Sequence, residues 1–444
     1  MQGPFAPPAA TFRPPAPGPV NAGFEPGLLR ISPRSRGQGA AMSKTDVVVV
    51  GAGVSGLAFA WKAAQAGRKV TVLEREARIG GCFHSHRKPD GFWFEMGAHT
   101  TYNSYGGFLD IAVGTGVTPK IQERGPARAV FGLLRNGEYH WLTPPKILLQ
   151  LNWLEAAVHF PFNFLRKKDG ETIYSYYSKL LGRRNYDRIF SPFFAAVPSQ
   201  KADGFPVDGP GSLFKKRPRR KEFIRSFGFD GGIQVVLDGA AKAPGVTVEK
   251  GVVARSVRRD GSGFKVTAAD GRTFEADVAA IAATVDQVPG LVQDDFHELA
   301  SVVSRVNSVV VESVGVVLPR EKCWMPECAF VIPVDDVFHS AVTRDPFPDP
   351  ARRAFAFHFK PGVSRADKLK RMSDVLKVPE AGLGELVEQR LVLPAPALGH
   401  DRIVADVDRV VAGGRLAVTG NYFDGLAIED CVQRSFAEWA RVSG

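Results

Sequence analysis

"DVVVVGAGVSGLAFAWKAAQAGRKVTVLE", residues 46–74, decides the fold. Residues 47–50 are an unbroken valine run, the pattern of a strand buried on both faces. Residues 54–67 have helical spacing and stop at Gly67, and residues 69–74 make a second apolar strand. Between the first strand and the helix stands GAGVSG, a G-x-G-x-x-G match on Gly51, Gly53 and Gly56. Three spaced glycines alone are unspecific. Placed after a buried strand, at the start of a helix and ahead of an acid, Glu74, that ends the next strand, they form a dinucleotide-binding fingerprint. Gly51 makes the tight turn, Gly53 lets backbone approach a pyrophosphate, and Gly56 lets helix pack closely on strand. Val54 and Ser55 open the helix whose N-terminus faces the phosphates, and Glu74 and Arg75 lie at the ribose end. A purely structural strand–turn–helix is the alternative reading of the same residues.

The rest of the chain sets the frame. Its 444 residues exceed one core, so two or three domains are expected. Hydrophobic residues at 44% and charged residues at 23% are ordinary globular values. The net charge is +11, of which +3 falls in residues 1–41, and favours anionic partners without choosing among them. Four scattered cysteines are too few for a disulfide framework and point to a reducing compartment; the Cys323/Cys328 spacing does not suit zinc, so no metal is expected. Residues 1–41 contain nine prolines and six glycines and read as a disordered extension, with Met42 as the preferred start. No apolar run reaches 18 residues. The nearest, ILLQLNWLEAAVHFPFNFL (147–165), reads as a buried helix and turn, with a membrane-touching surface as the alternative. A cytoplasmic protein, with peripheral contact to the cytoplasmic face of a membrane as an option, is the expectation.

A second glycine pair follows Glu74. EREARIGGCFHS (74–85) supplies Arg78, Gly80 and Gly81, and FEMGAH (94–99) adds Glu95, Gly97 and Ala98. More backbone N–H groups and a cation there suit a ligand that runs past the first turn. The order G-x-G-x-x-G, E-x-x-x-R-x-G-G, F-E-x-G resembles the FAD-binding flavin amine oxidase superfamily, and IGGCFHS…FEMGAH is most similar to its protoporphyrinogen oxidase branch. Cys82 stands where the superfamily commonly has Arg. SFGFDGGIQVVLDGAA (226–241), KGVVARSV with Val253, and FEADVAAIAAT (274–284) resemble the segments that hold the adenine and return beneath the flavin. VTGNYFDGLAIEDC (418–431) resembles the terminal flavin-binding turn, with Gly420 and Asn421 beside the isoalloxazine and the backbone of Ala427 and Ile428 at its pyrimidine edge.

The resemblance implies an α/β fold: a Rossmann-type FAD-binding domain (GR2-like) with a mixed α+β substrate domain and a helical cap. The FAD domain would comprise residues 42–101, 226–290 and 401–444, the cap 102–225 and the substrate domain 291–400. It implies FAD as cofactor and an oxidase that takes hydride from a porphyrinogen to flavin N5, with O₂ as acceptor giving H₂O₂. An amine oxidase, an isoprenoid desaturase and a non-catalytic flavin carrier are the alternatives; Gly420-Asn421 in place of the amine oxidases' Gly-Glu pair disfavours the first. No catalytic residue is assigned, and His99, Tyr102 and Asn103 are pocket candidates. KKRPRRK (215–221) reads as a solvated or lipid-facing loop or as a lure for propionates; nothing else suggests nucleic acid. The branch's propionate-holding Arg after F-E-x-G is missing from AHTTYNSYGG (98–107).

Overall fold

In the computed structural model, which describes residues 42–444, the valine run lies in β1 (Met42–Val50), with 0–6% of each of Val47–Val50 exposed. Its burial follows from its place: β2 (Val70–Glu74) flanks it on one side and Thr273–Ile281 on the other, parallel to both. With two covered faces there is no polar side for alternation to mark. Val246–Lys250 extends the sheet beyond β2 in parallel, and the strands Gly263–Ala268 and Ala254–Asp260 continue it antiparallel on the far side. Leu416–Val418 pairs with the C-terminal half of Thr273–Ile281, so the sheet gathers strands from both extremities of the described chain. Helix α1 (Val54–Gln65) packs on it through Leu57, Ala58, Ala60 and Ala63, whose small side chains allow a close approach. The Pro-rich extension, residues 1–41, lies outside the described residues.

The second seven-stranded sheet runs, edge to edge, Leu386–Pro394, Ser308–Pro319, Arg352–Phe359, Phe338–Thr343, Phe330–Pro333, Phe131–Arg135 and Glu138–Leu142. Phe338, Phe355, Phe357 and Phe359 pack from it into a core shared with Met372 and Leu376 of the helix Arg365–Leu376. Its last two strands take residues 131–142 out of the helical cap expected over 102–225, which keeps the helices Gly106–Gly114, Trp153–Asn163 and Ile173–Leu181. The two strands form a hairpin turned at Asn136-Gly137, both at positive φ (52° and 80°), the two-residue turn whose twist matches paired strands.

The buried-helix reading of residues 147–165 is also corrected. Helices Pro144–Leu149 and Trp153–Asn163 leave Leu149, Leu154, Val158 and Phe162 between 66% and 86% exposed, and Leu165 just beyond is 82% exposed. The second helix is inverted. Its polar residues face the protein, where Asn152 N–H donates to Asn185 Oδ1 (2.7 Å) and Glu155 accepts the Arg184 and Asn185 N–H groups (3.1 and 3.3 Å). Backbone donors at a helix start demanded partners and the acid supplied them, which turned the apolar face outward.

Candidate functional site

The first turn of the fingerprint is built as its glycines require. Gly51 sits at φ +105°, and a Cβ there would lie 2.6 Å from Ala282 O. A Cβ on Gly56 would lie 1.9 Å from Gly51 O, so this glycine serves helix-on-strand packing. Gly53 differs: a Cβ there meets no atom within 4 Å and would project into open space. It is also the N-cap of α1, with no side-chain cap and no acid in the first turn. The free N–H groups and the helix dipole therefore favour an anion at that point.

That space is a cleft of ≈ 1140 Å³, counted out to its solvent mouth. Gly51, Gly53, Val54 and Ser55 line it from the first turn, Glu74 and Arg75 from the end of β2, and Val253 from the loop beside them. Gly81 and Ala98 line it from the loops that follow, and Gly420, Asn421 and Ile428 from the chain's last turn. Gly51 and Gly420 thus face one continuous cavity. The last helix, Ile428–Ser443, is bolted to α1, with Ser435 Oγ 2.9 Å from Ser55 O and 2.8 Å from Thr419 Oγ1.

Five of the predicted cofactor residues are not on the cleft wall. Gly56, Gly80 and Gly97 are packing glycines; Cβ atoms on the last two would lie 2.5 Å from Phe83 O and 2.1 Å from Cys82 O. Arg78 braces its own loop, donating to the carbonyls of Ile79, Gly81 and Phe83 at 2.9–3.2 Å. Burial among those carbonyls lowers its pKa. Ala427 faces the neighbouring chamber. Glu74 stands at the cleft with one lone pair of each oxygen engaged, accepting from Ala52 N–H (2.8 Å) and Glu76 N–H (2.9 Å). Glu95 holds architecture: it accepts from Ile233 N–H and Ser85 Oγ (each 2.8 Å), and burial raises its pKa to about 7.

Ala282, Ala283 and Thr284 also line the cleft, at the end of the segment expected to return beneath the flavin. The Thr284 hydroxyl is buried with no partner among the described residues, an orphan that a cofactor oxygen would satisfy. Cys82 and Cys431 line the cleft as thiols; burial pushes Cys82 up to about 11 and raises Cys431 further. Among the described residues no cluster of three or more His, Cys, Asp or Glu side chains could hold a metal ion.

A second chamber, ≈ 1580 Å³ counted the same way, adjoins the cleft at Ala98, Leu426 and Ile428. Its walls carry Phe131, Phe193, Phe214 and Phe330, together with the candidates His99 and Tyr102. His99 Nδ1 lies 3.0 Å from Gly97 O and, as that oxygen can only accept, carries the proton; burial lowers the imidazole pKa to about 4, so the ring is neutral at pH 7. Asn103 is elsewhere: its Nδ2 donates to Phe223 O (3.1 Å) and pins the 220–225 loop. Sequence reasoning missed the chamber's cations Arg124 and Arg128, which lie beside no motif. Of the basic loop, Lys215 and Arg217 reach the chamber but are tied to Asp430 (3.5 and 2.6 Å), while Arg220 pairs with Asp110 (2.8 Å).

The profile of the family described as flavin containing amine oxidoreductase matches residues 54–327. The chain belongs to that family. The family binds FAD, and the open cradle at Gly53, the uncapped helix start and the orphan Thr284 hydroxyl fit that cofactor. A second profile, pyridine nucleotide-disulphide oxidoreductase, matches residues 5–88. Among curated proteins, the all-trans-retinol 13,14-reductase of Danio rerio is 36% identical over 96 residues, 22% of this chain and 13% of that protein. The 15-cis-phytoene desaturase of Solanum lycopersicum is 22% identical over 313 residues, 63% of this chain and 52% of that protein. The chain therefore spans about half or less of each. Of solved structures, a candidate protoporphyrinogen oxidase from Exiguobacterium sp. 255-15 superposes with TM-score 0.72 at 17% identity, covering 90% of this chain and 99% of that one. Putrescine oxidase bound to putrescine gives 0.66 at 18%, covering 91% and 100%. These likenesses establish the fold: a Rossmann-like cofactor domain joined to a second, mixed-sheet domain.

Proposed function

We propose that this flavoenzyme is an oxidase of porphyrinogens, collected from a membrane surface and dehydrogenated in the chamber beside the flavin. One observation carries the reading: a large aromatic-walled chamber abuts the cofactor cleft, and its ionic groups are cations. A tetrapyrrole with flexible apolar rings and carboxylate side chains matches both features. FAD, when bound, supplies acceptance of a hydride and its delivery to O₂ as H₂O₂. The chain's own contribution is orientation and exclusion of water. Phe131 and Phe330, stacked at 5.9 Å with 8° between their planes, make a flat wall for a ring. His99 stays neutral and adds no charge where a cation would develop on the substrate. The exposed apolar face of Trp153–Asn163, near Lys167, Lys168, Arg183 and Arg184, has the composition of a helix resting on anionic lipid.

A second reading, isoprenoid desaturation, is favoured by the 313-residue match to a phytoene desaturase. Anaerobic mixing of the flavoprotein with protoporphyrinogen, coproporphyrinogen, a panel of amines and phytoene-loaded vesicles separates them. Flavin bleaching by a porphyrinogen is expected. Bleaching by phytoene alone would replace the first reading with the second.

A further inference from the structure

We propose that Arg124 is a carboxylate anchor, a subsite in the chamber wall that takes one acid group of an otherwise apolar substrate. The inference rests on reading the chamber as the substrate site, and it adds which chemical group is held there and by what.

Arg124 follows the short strand Ile121–Glu123 and is 7% exposed. Among the described residues its guanidinium makes one hydrogen bond, to Ser226 Oγ at 3.3 Å, and its buried Nε has no partner. Among the described residues no carboxylate lies within 4.0 Å of it. An arginine serving architecture in this protein looks different. Arg353, 4% exposed, donates to Asp345 Oδ1 at 2.9 Å and to the carbonyls of Met325 and Pro326 at 2.6 and 3.1 Å. Its charge is answered and its donors are filled, as a buried cation requires. Arg124 has neither form of compensation.

The neighbours leave the demand for an anion unmet. Arg128 sits four residues on, its Nη1 donating to the Arg124 carbonyl; it stands at the chamber rim in a solvent-exposed pair with Glu123 (3.7 Å), which answers Arg128 and leaves Arg124 without a counter-charge. The uncharged His99 offers no compensation. Glu95 lines a small cavity with Arg124, but its two oxygens are engaged by Ile233 N–H and Ser85 Oγ. The chamber's other inner cations, Lys215 and Arg217, are already answered by Asp430. A carboxylate entering between the aromatic walls would meet one unanswered, planar, two-pronged donor set, the geometry that arginine presents to carboxylates. The anchor thus comes from the end of the strand Ile121–Glu123, beyond the helix Gly106–Gly114, and not from the segment directly after F-E-x-G.

The test uses FAD-loaded protein with 2-naphthoate and its uncharged isostere 2-naphthamide, read by equilibrium dialysis and by the flavin spectrum. The parent is expected to prefer the acid by about 10- to 100-fold. Arg124→Met removes that preference while its melting temperature holds or rises, because an uncompensated buried charge has gone. Arg124→Lys retains a weaker preference. Equal affinity for acid and amide in the parent, an undiminished preference in Arg124→Met, or a Met variant that folds but melts well below the parent would overturn the proposal. Should the Met variant fail to fold, the Lys variant decides: a reduced preference supports the anchor and an unchanged one refutes it. Acid preference that leaves the flavin spectrum unmoved supports the anchor while defeating the chamber as the place of oxidation. Bleaching by porphyrinogen with no acid preference does the reverse.

Discussion

Replacing Gly53 by valine should separate cofactor retention from folding. The residue has φ −75° and ψ −178°, extended backbone that valine adopts freely, and a Cβ there touches no protein atom within 4 Å. The variant should therefore fold with a stability change below about 1 kcal/mol, as substitutions outside packed regions do. The new isopropyl group fills the approach to the first turn of α1 instead. Holding the pyrophosphate off two N–H groups forfeits two charge-assisted hydrogen bonds at about 1.5–3 kcal/mol each. The total, about 3–6 kcal/mol, is about 10²- to 10⁴-fold in the Kd for FAD. The assay is flavin absorbance of the purified protein after dialysis, paired with thermal melts with and without added FAD. The parent should gain melting temperature with FAD and the variant should not. Gly56→Val is the contrasting control, since its Cβ would stand 1.9 Å from the Gly51 carbonyl oxygen and the fold itself should fail. A Gly53→Val protein that keeps FAD at the parental Kd would refute the cradle.

Three other outcomes follow from the same geometry. Glu95 has a folded pKa of about 7, above its unfolded value near 4.5, so the folded state holds the extra proton between those limits and stability declines as pH rises through them, by about 3 kcal/mol. Glu95→Gln should flatten that decline in urea titrations from pH 5 to 8; an unchanged slope would remove Glu95 as its source. Arg217→Ala leaves the 7%-exposed Asp430 with Lys215 alone at 3.5 Å and should cost about 2–4 kcal/mol, read by denaturant melts, with weaker FAD retention because the terminal turn loosens. Leu154→Ser with Phe162→Ser, at sites 84% and 86% exposed, should change stability by less than about 1 kcal/mol yet lower affinity for phosphatidylserine vesicles by tenfold or more; unaltered sedimentation with vesicles would free this face of a lipid role.

Some of this molecule is legible without coordinates. The valine run, the glycine spacing and Glu74 are neighbours in sequence whose geometry is set by local sterics, so the strand–turn–helix and its anionic ligand could be read directly. The hairpin at residues 131–142 is equally readable from Asn136-Gly137, although the surrounding aromatics and helix formers mask its alternation. The helix Trp153–Asn163 shows the limit: its apolar residues declare a hydrophobic face, and only the backbone donors at Arg184 and Asn185, which claim Glu155, decide that this face points away from the core.

What the linear chain determined by itself is the cofactor turn, because its conformation depends on atoms a few bonds apart and on Gly51 and Gly56, where a side chain has no room. What tertiary structure alone decided is the company each distant group keeps. Gly51 and Gly420 share one cleft, and Arg124 is left without a counter-charge in the chamber that Phe330 walls. Burial and charge compensation are sums over neighbours brought together by the fold, and those neighbours lie hundreds of residues apart.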